Sequence, residues 1–101
     1  MRKRKSVMAS PWRRRRMCVL IDELPAPAAL RDVSATGAFL ETNARPALGC
    51  RVELHHPEAG AIVGTVRALS RDGVSIGFDC GERSVGFALA AIAADMSRPA
   101  A

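Results

Sequence analysis

From Arg16 onward, turn-forming residues divide the chain into short segments in which apolar and polar side chains alternate. Residues 50–55 show this most simply, since Val52 and Leu54 fall on one face of an extended chain and polar side chains fall on the other. Such alternation is typical of a strand with one buried face. The chain is therefore expected to fold mainly from short strands.

The residues Arg71-Asp72-Gly73 predict a hairpin, because Asp-Gly favours the tight turn between two antiparallel strands. The strand after this turn covers residues 74–78. The first strand is expected to end at Asp22-Glu23, before Pro25 and Pro27, and to be closed by a turn. The other predicted strands cover residues 16–23, 29–33, 38–41, 50–55 and 62–70, with a loop over residues 43–49.

The C-terminal part changes to the spacing of a helix. We expect an amphipathic helix over residues 84–96, with Ser84 as N-cap. Its apolar stripe is expected to face the core, although a partner or a second copy of the domain could also dock there. The stripe consists of Val85, Leu89, Ile92 and Met96.

Six short strands followed by one helix predict an all-β fold, a six-stranded antiparallel β-barrel with a C-terminal amphipathic helix. At 101 residues the chain fits one domain. Residues 12–97 are expected to form this domain, and residues 1–11 to form a flexible basic arm.

Charge is unevenly divided along the chain. Residues 1–16 hold eight arginines and lysines and no acid, whereas the remainder holds seven basic and ten acidic residues. The N-terminal segment therefore carries +8 and the rest −3. A segment of that charge density attracts phosphates, acidic lipids or acidic protein surfaces.

The cysteines and histidines predict neither a disulfide framework nor a metal site. Cys18, Cys50 and Cys80 are odd in number and lack paired spacing, so they are expected to be small buried hydrophobes in a reduced compartment. His55 and His56 are adjacent on a strand and should point to opposite faces.

Two broad functional classes are disfavoured by the sequence. No serine, histidine or acid is placed as a nucleophile with its base, so neither an enzyme nor a cofactor is expected. The apolar run Met17–Ile21 is too short for a signal core or a membrane span, which predicts a soluble, cytoplasmic protein.

One motif carries more specific information. The segment Asp32-Val33-Ser34-Ala35-Thr36-Gly37 lies where one predicted strand turns into the next, and the run Arg13–Arg16 precedes it. This arrangement resembles the PilZ family, and the strand at residues 73–78 and the trailing helix are similar to the end of that domain. The resemblance covers roughly residues 12–96. It implies a six-stranded barrel that binds the bacterial second messenger cyclic di-GMP and passes the signal to a protein partner.

The chemistry of the motif suits that ligand. An arginine fork matches a phosphate or the O6/N7 edge of guanine, and it can stack on a base. Asp32 would accept hydrogen bonds from guanine, Ser34 would bond to base or phosphate, and Gly37 would allow a positive φ or close approach of the ligand. The implied cyclic di-GMP site consists of Arg13, Arg14, Arg15, Arg16, Asp32, Ser34 and Gly37.

The arginine motif departs from the family pattern, which has two arginines four residues apart. No two basic residues of the N-terminal segment have that spacing, so the motif is degenerate. An interaction module that has lost the nucleotide therefore remains an alternative, as does homodimer formation. Asp32 and Ser34 could also simply stabilise a polar turn. A nucleic-acid-binding barrel is disfavoured, since the domain is acidic and has few aromatic residues for stacking.

Overall fold

The computed structural model of the protein describes residues 16–79 and 81–96. Within these residues, alternating segments form strands and the last segment forms a helix. The elements are β1 (Arg16–Ile21), β2 (Pro25–Ser34), β3 (Gly37–Glu41), β4 (Arg51–His56), β5 (Gly60–Leu69), β6 (Gly73–Phe78) and α1 (Glu82–Met96).

The six strands close into a barrel in the order β1-β2-β3-β6-β5-β4, with every neighbouring pair antiparallel and β4 paired to β1. This confirms the predicted fold class, a six-stranded antiparallel barrel with a C-terminal helix. The alternation predicted for residues 50–55 is also confirmed, because Val52 and Leu54 are buried while their neighbours face outward. Burying each such side chain contributes about 1.5–3 kcal/mol before conformational entropy is counted.

The predicted turn after the first strand is present, since residues 22–24 form a bend after β1, but β2 begins at Pro25 rather than at Ala29 as predicted. Over this stretch β2 pairs with β1, and its pairing with β3 begins only at Ala29. One edge of the stretch therefore faces no strand. Proline, which has no N–H to donate, is tolerated at such an edge.

Helix α1 packs its inner face on the barrel through Ser84, Phe87, Ala88 and Ala91. The ring of Phe87 meets those of His56 and Phe78 edge to face, with centroids 6.0 Å and 5.6 Å apart. Antiparallel pairing brings the start of β1 and the β2–β3 and β4–β5 turns to the barrel end where the helix lies.

The prediction that the apolar stripe of the helix faces the core is wrong for three of its four members, and the side chain of the fourth, Met96, lies outside the described part of the chain. Val85, Leu89 and Ile92 are 46%, 63% and 39% exposed. The alanines of the opposite face allow the helix to approach the barrel closely, and Phe87 fills the space that remains. Both faces are apolar, so spacing alone does not determine which one is buried.

The predicted N-cap is also wrong, because the helix begins two residues before Ser84. The Ser84 hydroxyl lies inside the first turn. It accepts a hydrogen bond from the backbone N–H of Gly81 at 3.2 Å and donates one to the Gly81 carbonyl at 3.0 Å.

The described cysteines are unpaired, and Cys18 is a buried hydrophobe as predicted, while Cys50 is half-buried. Burial raises the pKa of the Cys18 thiol from 9.0 to about 11, against the opposing charge of Arg16. His55 and His56 point to opposite faces, also as predicted. His55 pairs with Glu53 at the surface, whereas His56 is buried and its Nδ1 accepts backbone N–H groups.

Several predictions concern residues outside the described ranges. These are the flexible arm over residues 1–11, the ligand role of Arg13–Arg15, and the burial of Cys80. Within residues 16–79 and 81–96, no helix combines the length and the apolar character needed to cross a bilayer.

Candidate functional site

An open cavity of about 550 Å³ lies on the outer wall of the barrel, where β2, β3, β6 and β5 run side by side. It contains three residues of the motif identified in the sequence, Asp32, Ser34 and Gly37. The lining residues are Asp32, Val33, Ser34, Thr36, Gly37, Ala38, Phe39, Arg67, Ser75, Ile76, Gly77 and Phe78.

The cavity is recessed into the barrel wall because two residues without side chains, Gly37 and Gly77, face each other across β3 and β6. A Cβ at Gly37 would collide with the Ile76 carbonyl, so a side chain there would push the strands apart. Gly37 therefore allows close packing of two strands. Of the two roles considered for Gly37, a positive φ is not adopted, whereas close approach of a ligand stays a prediction.

Arg67 is the one described arginine that lines the cavity. Its guanidinium lies directly over Gly77, where a Cβ would collide with Arg67 Nε. No described residue forms a hydrogen bond or ion pair with this guanidinium in the structure. Its five N–H donors are thus available to an anion or to a base edge.

Two β-bulges flank the cavity, and each has an arginine as its extra residue. Against β3, the register of β2 shifts between Leu30 and Asp32, which leaves Arg31 as the extra residue. Against β6, the register of β5 shifts in the same way at Arg67. Because bulges redirect side chains and often lie beside binding sites, they account for the position of Arg67 over the cavity.

Asp32 and Phe39 form the side of the cavity nearest β2, where they are cross-strand partners. Asp32 is exposed, and no ion pair to it is present among the described residues. Arg31 lies 5.6 Å from the centre of the Phe39 ring and pairs with Glu41 at 3.0 Å. The wall thus combines an accessible carboxylate with an aromatic surface.

Ser34 and Thr36 shape the turn at the edge of the cavity. The Ser34 hydroxyl accepts the backbone N–H of Thr36 at 3.2 Å and lies 3.0 Å from the Thr36 hydroxyl. The Thr36 carbonyl accepts the N–H of Phe78 at 2.8 Å, which fixes the turn to β6. The local turn role considered for Ser34 is therefore present, and its hydroxyl also lines the cavity.

Arg16 does not line the cavity. Its Nη2 donates to the Ala94 carbonyl at 3.1 Å and lies 3.4 Å from Glu58 Oε1. The structure thus brings together Asp32, Ser34 and Gly37 and places Arg16 at the helix. A ligand role for Arg16 remains a prediction.

Arg67 was not among the site residues predicted from the sequence, and it lies 35 residues beyond Asp32 in the chain. No local signal marks Arg67, because the alternation of the sequence continues through Val66 and Ala68, and the break appears only in the structure, where Val66 is buried and Ala68 is exposed. The proximity of Arg67 to the motif depends on the β3–β6 pairing, which local sequence does not reveal.

No set of three or more histidine, cysteine, aspartate or glutamate residues in the described part of the chain is placed to hold a metal ion. Comparison with protein-family models, curated proteins and solved structures gives no match for this chain. Its function must therefore be inferred from the chemistry of the cavity and from the resemblance of the motif.

Proposed function

We propose that the barrel binds cyclic di-GMP in the wall cavity and acts as an effector that couples the level of this second messenger to a protein partner. The observation that carries the proposal is the convergence of Asp32, Ser34 and Gly37 with the unpaired guanidinium of Arg67. A cavity of about 550 Å³ falls within the range of small-molecule sites, roughly 300–1,000 Å³.

The polar groups of the cavity complement those of the ligand. The Asp32 carboxylate can accept the N–H groups on the Watson–Crick edge of a guanine. The Arg67 fork can hold a phosphate or a guanine O6/N7 edge through two parallel hydrogen bonds. The Phe39 ring beside them supplies an apolar surface for a base.

The position of Arg67 supports binding even though the N-terminal arginines lack the spacing of the PilZ family. A guanidinium already lies in the cavity without any contribution from the N-terminal segment. Arg13–Arg15 immediately precede Arg16, which pairs with Leu30, two residues before Asp32. Each residue spans up to about 3.3–3.6 Å, so this run is long enough to add a second guanidinium.

In this proposal the output is a change of surface rather than a chemical reaction. Ordering of the N-terminal segment over the bound nucleotide would place up to seven cationic side chains, from residues 1–15, beside the motif. A partner that reads this surface would bind differently to the loaded and empty states.

Isothermal titration of cyclic di-GMP into the full chain tests the proposal. We expect micromolar binding to the wild type and at least ~10-fold weaker binding to Arg67→Gln, because a charge-assisted contact is lost. The matched control is Arg71→Gln, which removes the same charge from the exposed β5–β6 turn and should bind like the wild type.

Two results would overturn the proposal. One is the absence of micromolar binding to the wild type, which would favour an interaction module without nucleotide. The other is equal affinity of wild type and Arg67→Gln, which would place the nucleotide elsewhere. A thermal-shift comparison with GTP and cyclic GMP measures selectivity, since a specific ligand raises the melting temperature as its concentration exceeds Kd.

A further inference from the structure

Arg51 and Asp79 form an ion pair on the barrel wall, next to the cavity. Arg51 begins β4, Asp79 directly follows β6, and β5 lies between these two strands. The side chain of Arg51 therefore reaches across β5, and its Nη2 lies 3.4 Å from Asp79 Oδ2. Both side chains are largely exposed, at 58% and 77%. An ion pair with this exposure contributes little to stability, so its two members can separate readily.

This ion pair brings Arg51 to the same end of β6 as Arg67. The Arg67 guanidinium lies over Gly77, and Asp79 is two residues further along the chain, with its Cα at most about 7 Å from that of Gly77. Between Arg51 and Gly77 lies Thr65, which is the cross-strand partner of both. One row of residues across β4, β5 and β6 thus connects Arg51 to the floor of the cavity.

Arg31, another arginine beside the cavity, is held more firmly than Arg51. Its Nη1 lies 3.0 Å from Glu41, whose side chain is only 28% exposed, and its guanidinium lies over the ring of Phe39. An anion that recruited Arg31 would have to replace both contacts. Arg51 has one contact among the described residues, to an exposed carboxylate. Arg51 is therefore the arginine that an incoming anion can recruit at the lower cost.

We propose that Arg51 is a second anion contact of the wall cavity, and that Asp79 occupies it while the cavity is empty. The inference rests on the proposed function, because the anion is the second phosphate of cyclic di-GMP. Arg67 holds one phosphate and Arg51 holds the other, each through a charge-assisted pair of hydrogen bonds. Asp79 is an internal competitor, since its carboxylate has to leave Arg51 before a phosphate can bind there.

Affinities of charge-removing variants for cyclic di-GMP, measured by calorimetry on the full chain, test the inference. Arg51→Gln should bind the nucleotide at least ~10-fold more weakly than the wild type, because a contact to phosphate is lost. Asp79→Asn should bind it ~2–5-fold more tightly, because the competing ion pair is removed. The matched controls, Arg71→Gln and Asp72→Asn, remove the same charges from the exposed β5–β6 turn and should bind like the wild type.

The double variant Arg51→Gln/Asp79→Asn distinguishes occupation of Arg51 from general repulsion between Asp79 and the ligand. If Asp79 acts by occupying Arg51, Asp79→Asn should change the affinity by less than ~1.5-fold once Arg51 has been replaced. Equal tightening by Asp79→Asn in the presence and absence of Arg51 would show that Asp79 only repels the nucleotide. That result would overturn the role of Asp79 as a competitor.

The outcomes for Arg51 and Arg67 separate this inference from the proposed function. Wild-type binding that is weakened by Arg67→Gln but not by Arg51→Gln would overturn the second anion contact and leave the proposed function standing. Absence of micromolar binding to the wild type would overturn the proposed function and this inference with it. Both arginines are exposed, so neither substitution is expected to disturb the fold.

Discussion

Two arginines of the barrel, Arg45 and Arg67, differ in whether the fold supplies hydrogen-bond partners for their guanidinium groups. Arg45, in the loop after β3, donates to the carbonyls of Ser70 at 2.6 Å, Arg71 at 3.0 Å and Gly73 at 3.4 Å. Its guanidinium is used to tie the β5–β6 turn to a neighbouring loop. Arg67, on the wall, lies over a glycine with no described hydrogen-bond partner.

The same contrast holds for the two faces of α1. Phe87 is enclosed by the rings of Phe78 and His56, whereas Leu89, two residues later, faces outward. Groups satisfied within the fold are expected to determine stability, and groups left open are expected to determine what the protein binds. Stability and binding measurements on matched pairs of residues can test that division.

The largest expected effect is on the inner face of the helix. Phe87→Ala should lower the free energy of unfolding by about 3–5 kcal/mol, because it removes a buried aromatic ring at the centre of the helix–barrel contact. Leu89→Ala, the control on the outer face, should change it by less than about 0.5 kcal/mol. Urea denaturation measures both, and similar losses for the two variants would contradict the division between faces.

The second effect concerns pH. The pKa of Cys18 is raised by burial to about 11 in the folded state. The Cys18 thiol therefore loses its proton at lower pH in the unfolded chain than in the folded protein. The contribution of the neutral, buried thiol to the free energy of unfolding is complete below pH 9 and is lost as the pH rises to about 11. The loss should be about 2–3 kcal/mol, from a difference of about two pKa units.

Denaturation between pH 8 and 11 measures this effect, with Cys18→Ala as control. The variant should show a shallower decline of stability with pH than the wild type. Equal slopes would mean that the Cys18 thiol is as accessible to water in the folded state as in the unfolded chain.

The smallest expected effect is the difference in stability between variants of Arg45 and Arg67. Arg45→Ala should lower the free energy of unfolding by about 1–2 kcal/mol, because three backbone carbonyls lose a charged donor. Arg67→Ala should change it by no more than about 0.5 kcal/mol. If thermal unfolding showed Arg67→Ala to be the more destabilising, Arg67 would be a structural residue rather than a ligand group.

Much of the barrel could be predicted from the sequence because strand alternation is a local signal. Val52 and Leu54 indicate the inward face directly, and Asp72-Gly73 indicates the hairpin that follows β5. The strand at Pro25 could not be predicted in this way. Proline is tolerated there only because one edge lacks a partner, and that edge is defined by pairing with β3.

The candidate site was predictable to the extent that its residues are close in the chain. Asp32, Ser34 and Gly37 belong to one motif, and the structure places them in one cavity. Arg67 comes from another strand and reaches the cavity through a bulge. The buried face of α1 was not predictable either, since both faces are apolar and the choice depends on contacts of Phe87 with distant residues.

The paired glycines of the wall have a consequence for how this barrel could be altered. The recess exists because side chains are missing from the outer surface at Gly37 and Gly77, while the interior beneath remains filled by residues such as Ile76. The surface of the recess could therefore be reshaped at Phe39, Arg67 or Ser75 without opening a void in the interior. A protein of this size, with little stability to spare, can in this way acquire new specificities at low risk of unfolding.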